Sequence, residues 1–158
     1  MKIAIVNIGK ADMGKTTSIR KAFNILALHY PDTTTIYVPR NGKAPILDNK
    51  EVKATIKIGD VLVGIETQGD PNSRLPKSLN YFVNWGCEII LVACRADDDS
   101  TYNSVTALAE QGYEILWLPN GKAEDSACWE KLTDNYGNYV ADVIEKCVKN
   151  GGLTPDCL

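Results

Sequence analysis

Residues 9–16, Gly-Lys-Ala-Asp-Met-Gly-Lys-Thr, satisfy the pattern G-x-x-x-x-G-K-[ST] in full and lie directly behind an apolar run, KIAIVNI at residues 2–8. No other stretch limits the possible folds so tightly, because each residue type in it has a physical task. Gly9 and Gly14 let the backbone turn sharply, so that successive N–H groups converge on phosphate oxygens. Lys15 brings a mobile positive charge to β- and γ-phosphates, and Thr16 offers a hydroxyl to Mg²⁺. A helix starting at Lys15 aims the positive end of its dipole at the same anion. The cradle so defined comprises Gly9, Lys10, Asp12, Met13, Gly14, Lys15, Thr16 and Thr17. With glycine near 7% of average composition, a four-position match arises by chance in roughly one chain of this size in a few hundred. The strand before it and the amphipathic helix after it are the context its mechanism requires.

The rest of the chain alternates strands with helices. Residues 2–8 are apolar enough for a strand buried on both faces, as parallel sheets require. KTTSIRKAFNILALHY, residues 15–30, puts Ile19, Phe23, Leu26 and Tyr30 on one helical face and ends before Pro31. TTIYVPR (34–40) reads as a second strand and residues 41–50 as a loop. ATIKIGDVLVGIE (54–66) reads as two strands joined at Gly59-Asp60, an antiparallel hairpin. A polar loop, GDPNSRLP (69–76), precedes a short helix closing at Gly86. CEIILVAC (87–94) is a strand. A helix follows over 99–112, with Asp99 or Ser100 as cap and Gly112 as stop, then a last strand, YEILWLP (113–119). A longer helix, 126–149, carries Trp129, Leu132, Tyr136, Val140, Val143 and Cys147 on its buried side, and residues 151–158 are a tail. This order predicts one α/β domain over residues 1–150, a mainly parallel sheet with helices on both faces and one β-hairpin.

Residues 9–16 resemble the Walker A loop of the P-loop nucleoside triphosphatase and kinase superfamily, and the strand–helix order agrees over most of the chain. The resemblance implies a three-layer fold and a Mg²⁺-nucleotide at the carboxyl ends of the parallel strands. It does not fix the reaction. GKADMGKTT is also similar to the G-K-G-G-x-G-K-T-T loop of the partition, division-site-selection and nitrogenase-iron-protein ATPases. In that family a second lysine, matching Lys10, reaches across a nucleotide-sandwich homodimer; Ala11 and Asp12 stand where the family has two glycines.

Three further segments supply candidate site residues. Glu66 ends an apolar strand, where this superfamily places its Mg²⁺-linked carboxylate, so Thr16 and Glu66 are the candidate metal ligands. Glu66-Thr67-Gln68-Gly69 also resembles the D-x-x-G loop of switch GTPases, with glutamate for aspartate. Alternatively Glu66 or Asp70 is a general base, as in small-molecule kinases, with Arg74 behind it. Arg95 leaves the end of a buried strand, the edge at which open α/β sheets bind ligands, and is a candidate phosphate clamp. CRAD (94–97) resembles the N-K-x-D guanine reader without its asparagine, and Asp97, Asp98 and Asp99 are read as favouring the next helix N-terminus. The chain has four arginines, Arg20, Arg40, Arg74 and Arg95, and no insertion large enough for an Arg-rich kinase lid. Arg40 to Lys53, with Lys43 and Lys50, is a small substitute for one.

Composition sets outer limits. Seventeen Lys and Arg against 20 Asp and Glu give a formal charge of −3, which offers no general attraction for nucleic acid or anionic membranes. No stretch approaches the ~20 apolar residues of a membrane helix, and a cytoplasmic protein is expected. Five cysteines without a close C-x-x-C pair, and a single histidine, His29, argue for incidental thiols rather than disulfides or zinc. The expected function is therefore Mg²⁺-nucleotide binding, ATP ahead of GTP, with triphosphate hydrolysis. Lys15, Glu66, Asp70 and Arg95 are the catalytic candidates. The alternatives are a small-molecule or nucleotide kinase, and a nucleotide-gated module whose protein partner completes catalysis.

Overall fold

The computed structural model describes residues 1–31, 33–37 and 51–158, the segment 33–37 by its backbone. Its elements in chain order are β1 (Ile3–Gly9), α1 (Lys15–His29), β2 (Thr33–Tyr37), β3 (Lys53–Ile58), β4 (Val61–Glu66), α2 (Leu75–Asn84), β5 (Ile89–Arg95), α3 (Asp99–Thr106), β6 (Glu114–Pro119) and α4 (Ser126–Asn150). Among the described residues six strands form one sheet in the order β2-β3-β4-β5-β1-β6. β4, β5, β1 and β6 run parallel to one another, whereas β3 is antiparallel to both β2 and β4. The mixed sheet thus contains the expected hairpin: Ile58 pairs with Val61 and Gly59 takes φ 60°, a conformation only glycine adopts at little cost.

Alternation along the central strands divides the core into two halves. Ile3 and Ile5 of β1, Val63 and Ile65 of β4, and Leu91 and Ala93 of β5 face α1 and α4. Ala4 and Val6, with Ile90, Val92 and Cys94, face α2 and α3. Strands buried on both sides read as unbroken apolar runs, which is why the sequence shows them clearly but hides which residue faces which helix.

Local chemistry sets the helix ends. Asp98 caps α3, its carboxylate accepting the Thr101 N–H at 2.9 Å, rather than the expected Asp99 or Ser100. The same helix gives way at Ala107–Gln111 to a 3-10 turn that ends at Gly112, as anticipated. α2 begins at Leu75, two residues ahead of the predicted start, with Pro76 in its first turn, where a missing N–H is harmless. On α4 the buried stripe runs through Thr133, Gly137, Val140, Val143, Ile144 and Cys147. Leu132, expected inside, is 39% exposed. The stripe shifts because Gly137 meets α1 directly: a Cβ there would lie 2.7 Å from that of Lys21.

Residues 151–158 do not trail away. Gly151 ends α4 in the left-handed conformation, Pro155–Cys157 form a 3-10 turn, and Cys157 is buried in the core under α4. All five cysteines are free thiols. Among the described residues no helix is long and apolar enough to cross a membrane. The expected strand residues 38–40 and the segment bearing Arg40, Lys43 and Lys50 lie outside the described residues.

Gly64 tests this packing. A Cβ on it would fall 2.6 Å from the Phe82 ring, which is completely buried and has no room to withdraw. Gly64→Ala is expected to lower stability by about 1–3 kcal/mol. The urea midpoint should fall with an unchanged slope, and the added substitution Phe82→Leu should restore part of the loss.

Candidate functional site

β1 ends in the middle of the parallel strands, and the chain turns there into α1. Its last turn is held from both sides: the Ala96 N–H donates to the Gly9 carbonyl at 3.1 Å and the Asn120 N–H to the Ile8 carbonyl at 2.9 Å. Within the loop, Asp12 and Gly14 both have positive φ, 54° and 77°. Gly14 occupies the N-cap of α1 with no side-chain cap, and the first turn holds no acid. α3 and α4, in contrast, are capped by Asp98 and Asp125. The first N–H groups of α1 have no intrahelical acceptor by construction, so the positive end of this 15-residue helix opens uncapped onto the loop.

A cleft of about 520 Å³ lies over it, in the size range of small-molecule sites. Of the residues expected from sequence, Asp12, Met13, Gly14, Lys15, Thr16, Thr17, Asp70 and Arg95 line it. Gly9 stands at its root, and Lys10 is exposed at the rim, its carbonyl accepting from the Lys15 ammonium. The Lys15 side chain is buried, and burial lowers its pKa, Asp70 opposing and Arg95 reinforcing that shift. Arg95 donates from Nη1 to Asp70 at 3.1 Å and from Nε to Asp97 at 2.9 Å. Those two bonds, Asp97 first, raise its pKa further above the arginine range. The Thr16 hydroxyl donates to the Thr67 carbonyl over a long 3.4 Å.

Glu66 is not in the cleft. It is completely buried on the α2 side of the sheet, and its acceptor positions are taken. Arg74 grips it with Nε at 2.7 Å and Nη2 at 3.0 Å, Ser78 donates to it at 2.6 Å, and the Gln68 N–H at 2.9 Å. Strand parity is the reason. Val63 and Ile65 of β4 face α1, so Glu66 faces α2, and Thr67 is the residue presented to the loop. The Thr67 hydroxyl accepts the Val52 N–H at 2.8 Å and donates to the Glu51 carboxylate, which brings Glu51 into the cleft wall. Two residues on, Gly69 lies so close to β5 that a Cβ would sit 2.3 Å from the Ala93 carbonyl oxygen.

Five cleft residues were not named as site candidates: Arg20, Glu51, Thr67, Ala93 and Trp129. Arg20 stands four residues after Thr16, on the same helical face, and helix period alone could have found it. Its Nη2 donates to the Thr17 hydroxyl at 3.5 Å. Thr67 was recoverable from strand parity, but nothing local marks Glu51 or Trp129. Asn120 was missed too. Its side-chain amide donates to the Met13 carbonyl, and its Oδ1 accepts from Ser18 at 3.4 Å, tying the loop to the end of β6. Asn7, wholly buried, donates to the Lys15 carbonyl at 3.4 Å.

This arrangement makes Glu66 the buried anchor of Arg74. Glu66→Gln should cost about 3–5 kcal/mol of stability, because it leaves the Arg74 charge without its buried partner. A thermal melt beside the native protein reads that loss. Comparison with protein-family models, with curated proteins and with solved structures finds no match for this chain.

Proposed function

We propose that this is a P-loop nucleotide-binding protein of three-layer architecture that takes Mg²⁺-ATP, or less readily Mg²⁺-GTP, and hydrolyses it slowly. The observation that carries this reading is the uncapped N-terminus of α1 opening onto a cleft that holds Lys15, Arg20 and Arg95. Three cations and a helix dipole converging on one cavity are suited to a polyphosphate. Lys15 moves from the Lys10 carbonyl to the β- and γ-phosphates, and Arg95 exchanges an aspartate for a phosphate oxygen.

The donor set fits Mg²⁺. Thr16, loosely bonded to Thr67, would hold the ion, with Asp70 or Glu51 as a carboxylate partner. Mg²⁺ commonly takes one or two such ligands and fills its shell with phosphate oxygens and water, in keeping with the absence, among the described residues, of any cluster of three or more metal-binding side chains. The bound ion supplies charge neutralisation on the phosphate oxygens. Water attacks the γ-phosphorus, the bond to the β–γ bridging oxygen breaks, and nucleoside diphosphate and phosphate leave. Asp70, 70% exposed and reaching Arg95, is the acid placed to orient that water. Glu66 serves instead by fixing Arg74.

One observation favours a second reading, a nucleotide-gated module with little turnover of its own. The strand-end acid expected to position water is fully engaged with Arg74, Ser78 and Gln68. In this reading a protein partner supplies the missing catalytic group.

The test is Mg²⁺-dependent phosphate release from ATP and from GTP, beside binding, in the native protein and in Lys15→Ala. Loss of the lysine should weaken binding by about ten- to a hundredfold, the worth of hydrogen bonds to a charged group. Release to water supports the triphosphatase. Tight binding without release supports the gated module, and nucleotide consumed only with an acceptor, without free phosphate, makes the protein a kinase. Unchanged affinity in Lys15→Ala would overturn the nucleotide site altogether.

A further inference from the structure

Phosphate groups are accounted for by the loop, but one wall of the cleft has no electrostatic task. Among the described residues lining the cavity, Trp129, on the first turn of α4, is the only aromatic one. It stands directly over the phosphate loop: a Cβ at Gly14 would lie 3.0 Å from its Nε1 and 3.5 Å from its Cε2. The indole is half-buried, and its N–H is buried without a hydrogen-bond acceptor among the described residues. A tryptophan held for stability normally satisfies that group. The Lys122 ammonium lies 4.9 Å from the ring centroid, and Lys122 is not part of the cavity wall. The ring is therefore braced by a cation while still contributing surface to the cleft.

The helix carrying it is fixed to α1. Gly137 gives close backbone approach, and Lys21 reaches across to Thr133 at 3.3 Å and pairs with Asp134. Asp125 sets the start of α4 by accepting the Cys128 N–H at 2.9 Å. The indole is thus held at a set height above the loop by side chains that do not touch the cavity. A flat apolar wall beside a polyphosphate cradle fits a ligand with charge at one end and an aromatic ring at the other. No Asn or Gln side chain lines the cleft among the described residues, so shape and stacking dominate at this wall rather than an amide reading a base edge.

We propose that Trp129 is the platform on which the nucleotide base stacks, and that it makes the site select aromatic-base triphosphates over bare polyphosphate while accepting both purines. This rests on the nucleotide-binding reading above and adds to it the residue that holds the base. Base–aromatic stacking tolerates any base, since each has a π-face. A cation on an aromatic ring adds to the stack.

The experiment compares ATP, GTP and ribose 5′-triphosphate, which lacks a base, by calorimetric titration with Mg²⁺ on the full chain. The native protein should bind ATP and GTP about tenfold or more tightly than the abasic compound. Trp129→Ala should bring all three within about twofold of one another, through loss of the base-dependent part alone. Trp129→Phe should keep most of the preference. Should the alanine variant also disturb the loop, Trp85→Phe with Trp117→Phe leaves Trp129 as the sole tryptophan. Its fluorescence should then change with ATP and GTP and much less with ribose 5′-triphosphate. A preference that survives in Trp129→Ala, or equal fluorescence responses to all three ligands, would overturn the proposal. Ribose 5′-triphosphate binding that ignores Lys15→Ala would instead overturn the phosphate site, so the two failures are distinct.

Discussion

The loop between β1 and α1 keeps its shape because the strand beneath it is paired on both edges up to the turn. β1 lies between β5 and β6, with Ile8 opposite Cys94 on one side and Pro119 on the other. Gly9 and Ile8 each accept one more hydrogen bond from the chain just beyond those neighbours, Ala96 and Asn120. A loop carrying two residues in the left-handed conformation would be costly on a free strand end. Here the turn starts from a fixed root, and Asn120 ties the Met13 carbonyl down from above. The order of the loop therefore depends on the end of β6, more than a hundred residues away in the chain.

Two consequences follow for the site's electrostatics. Burial of Lys15 weakens its hold on a proton and Asp70 opposes that shift, while Asp12 and Glu51 also line the cavity. Those acids are already engaged or exposed: Asp70 with Arg95, Glu51 with Thr67. Arg95 and Lys15 are thus held in place by a carboxylate and a backbone carbonyl at the cleft. The second consequence is spatial. The segment after β4 is pressed against β5 at Gly69, so the acid at 70 and the arginine at 95 come from neighbouring strand ends and meet without a long loop.

The two faces of the sheet assign different work to adjacent residues. Glu66 and Thr67 are neighbours in sequence, yet one anchors Arg74 and α2 while the other joins the cleft beside Thr16. Glu66 shows how an acid at a strand end can mislead: its type fits a metal ligand or base, but its parity gives it to the opposite face. The aromatic wall is the reverse case. Trp129 reads as one more apolar position on an amphipathic helix, and only the packing of α4 on α1 puts it over Gly14.

The amino-acid sequence alone determined the elements and the loop. Apolar runs flanked by glycine, helical spacing of Ile19, Phe23 and Leu26, and the G-x-x-x-x-G-K-T pattern are local signals, since backbone geometry and burial act within a few residues. Tertiary structure decided the order of strands, the face on which each strand-end side chain lies, and the cavity's far wall. Strands that are apolar on both sides carry no alternation from which to read a face. Residues such as Glu51, Asn120 and Trp129 acquire their positions only when distant elements dock, because no local pattern encodes a contact made across the whole chain.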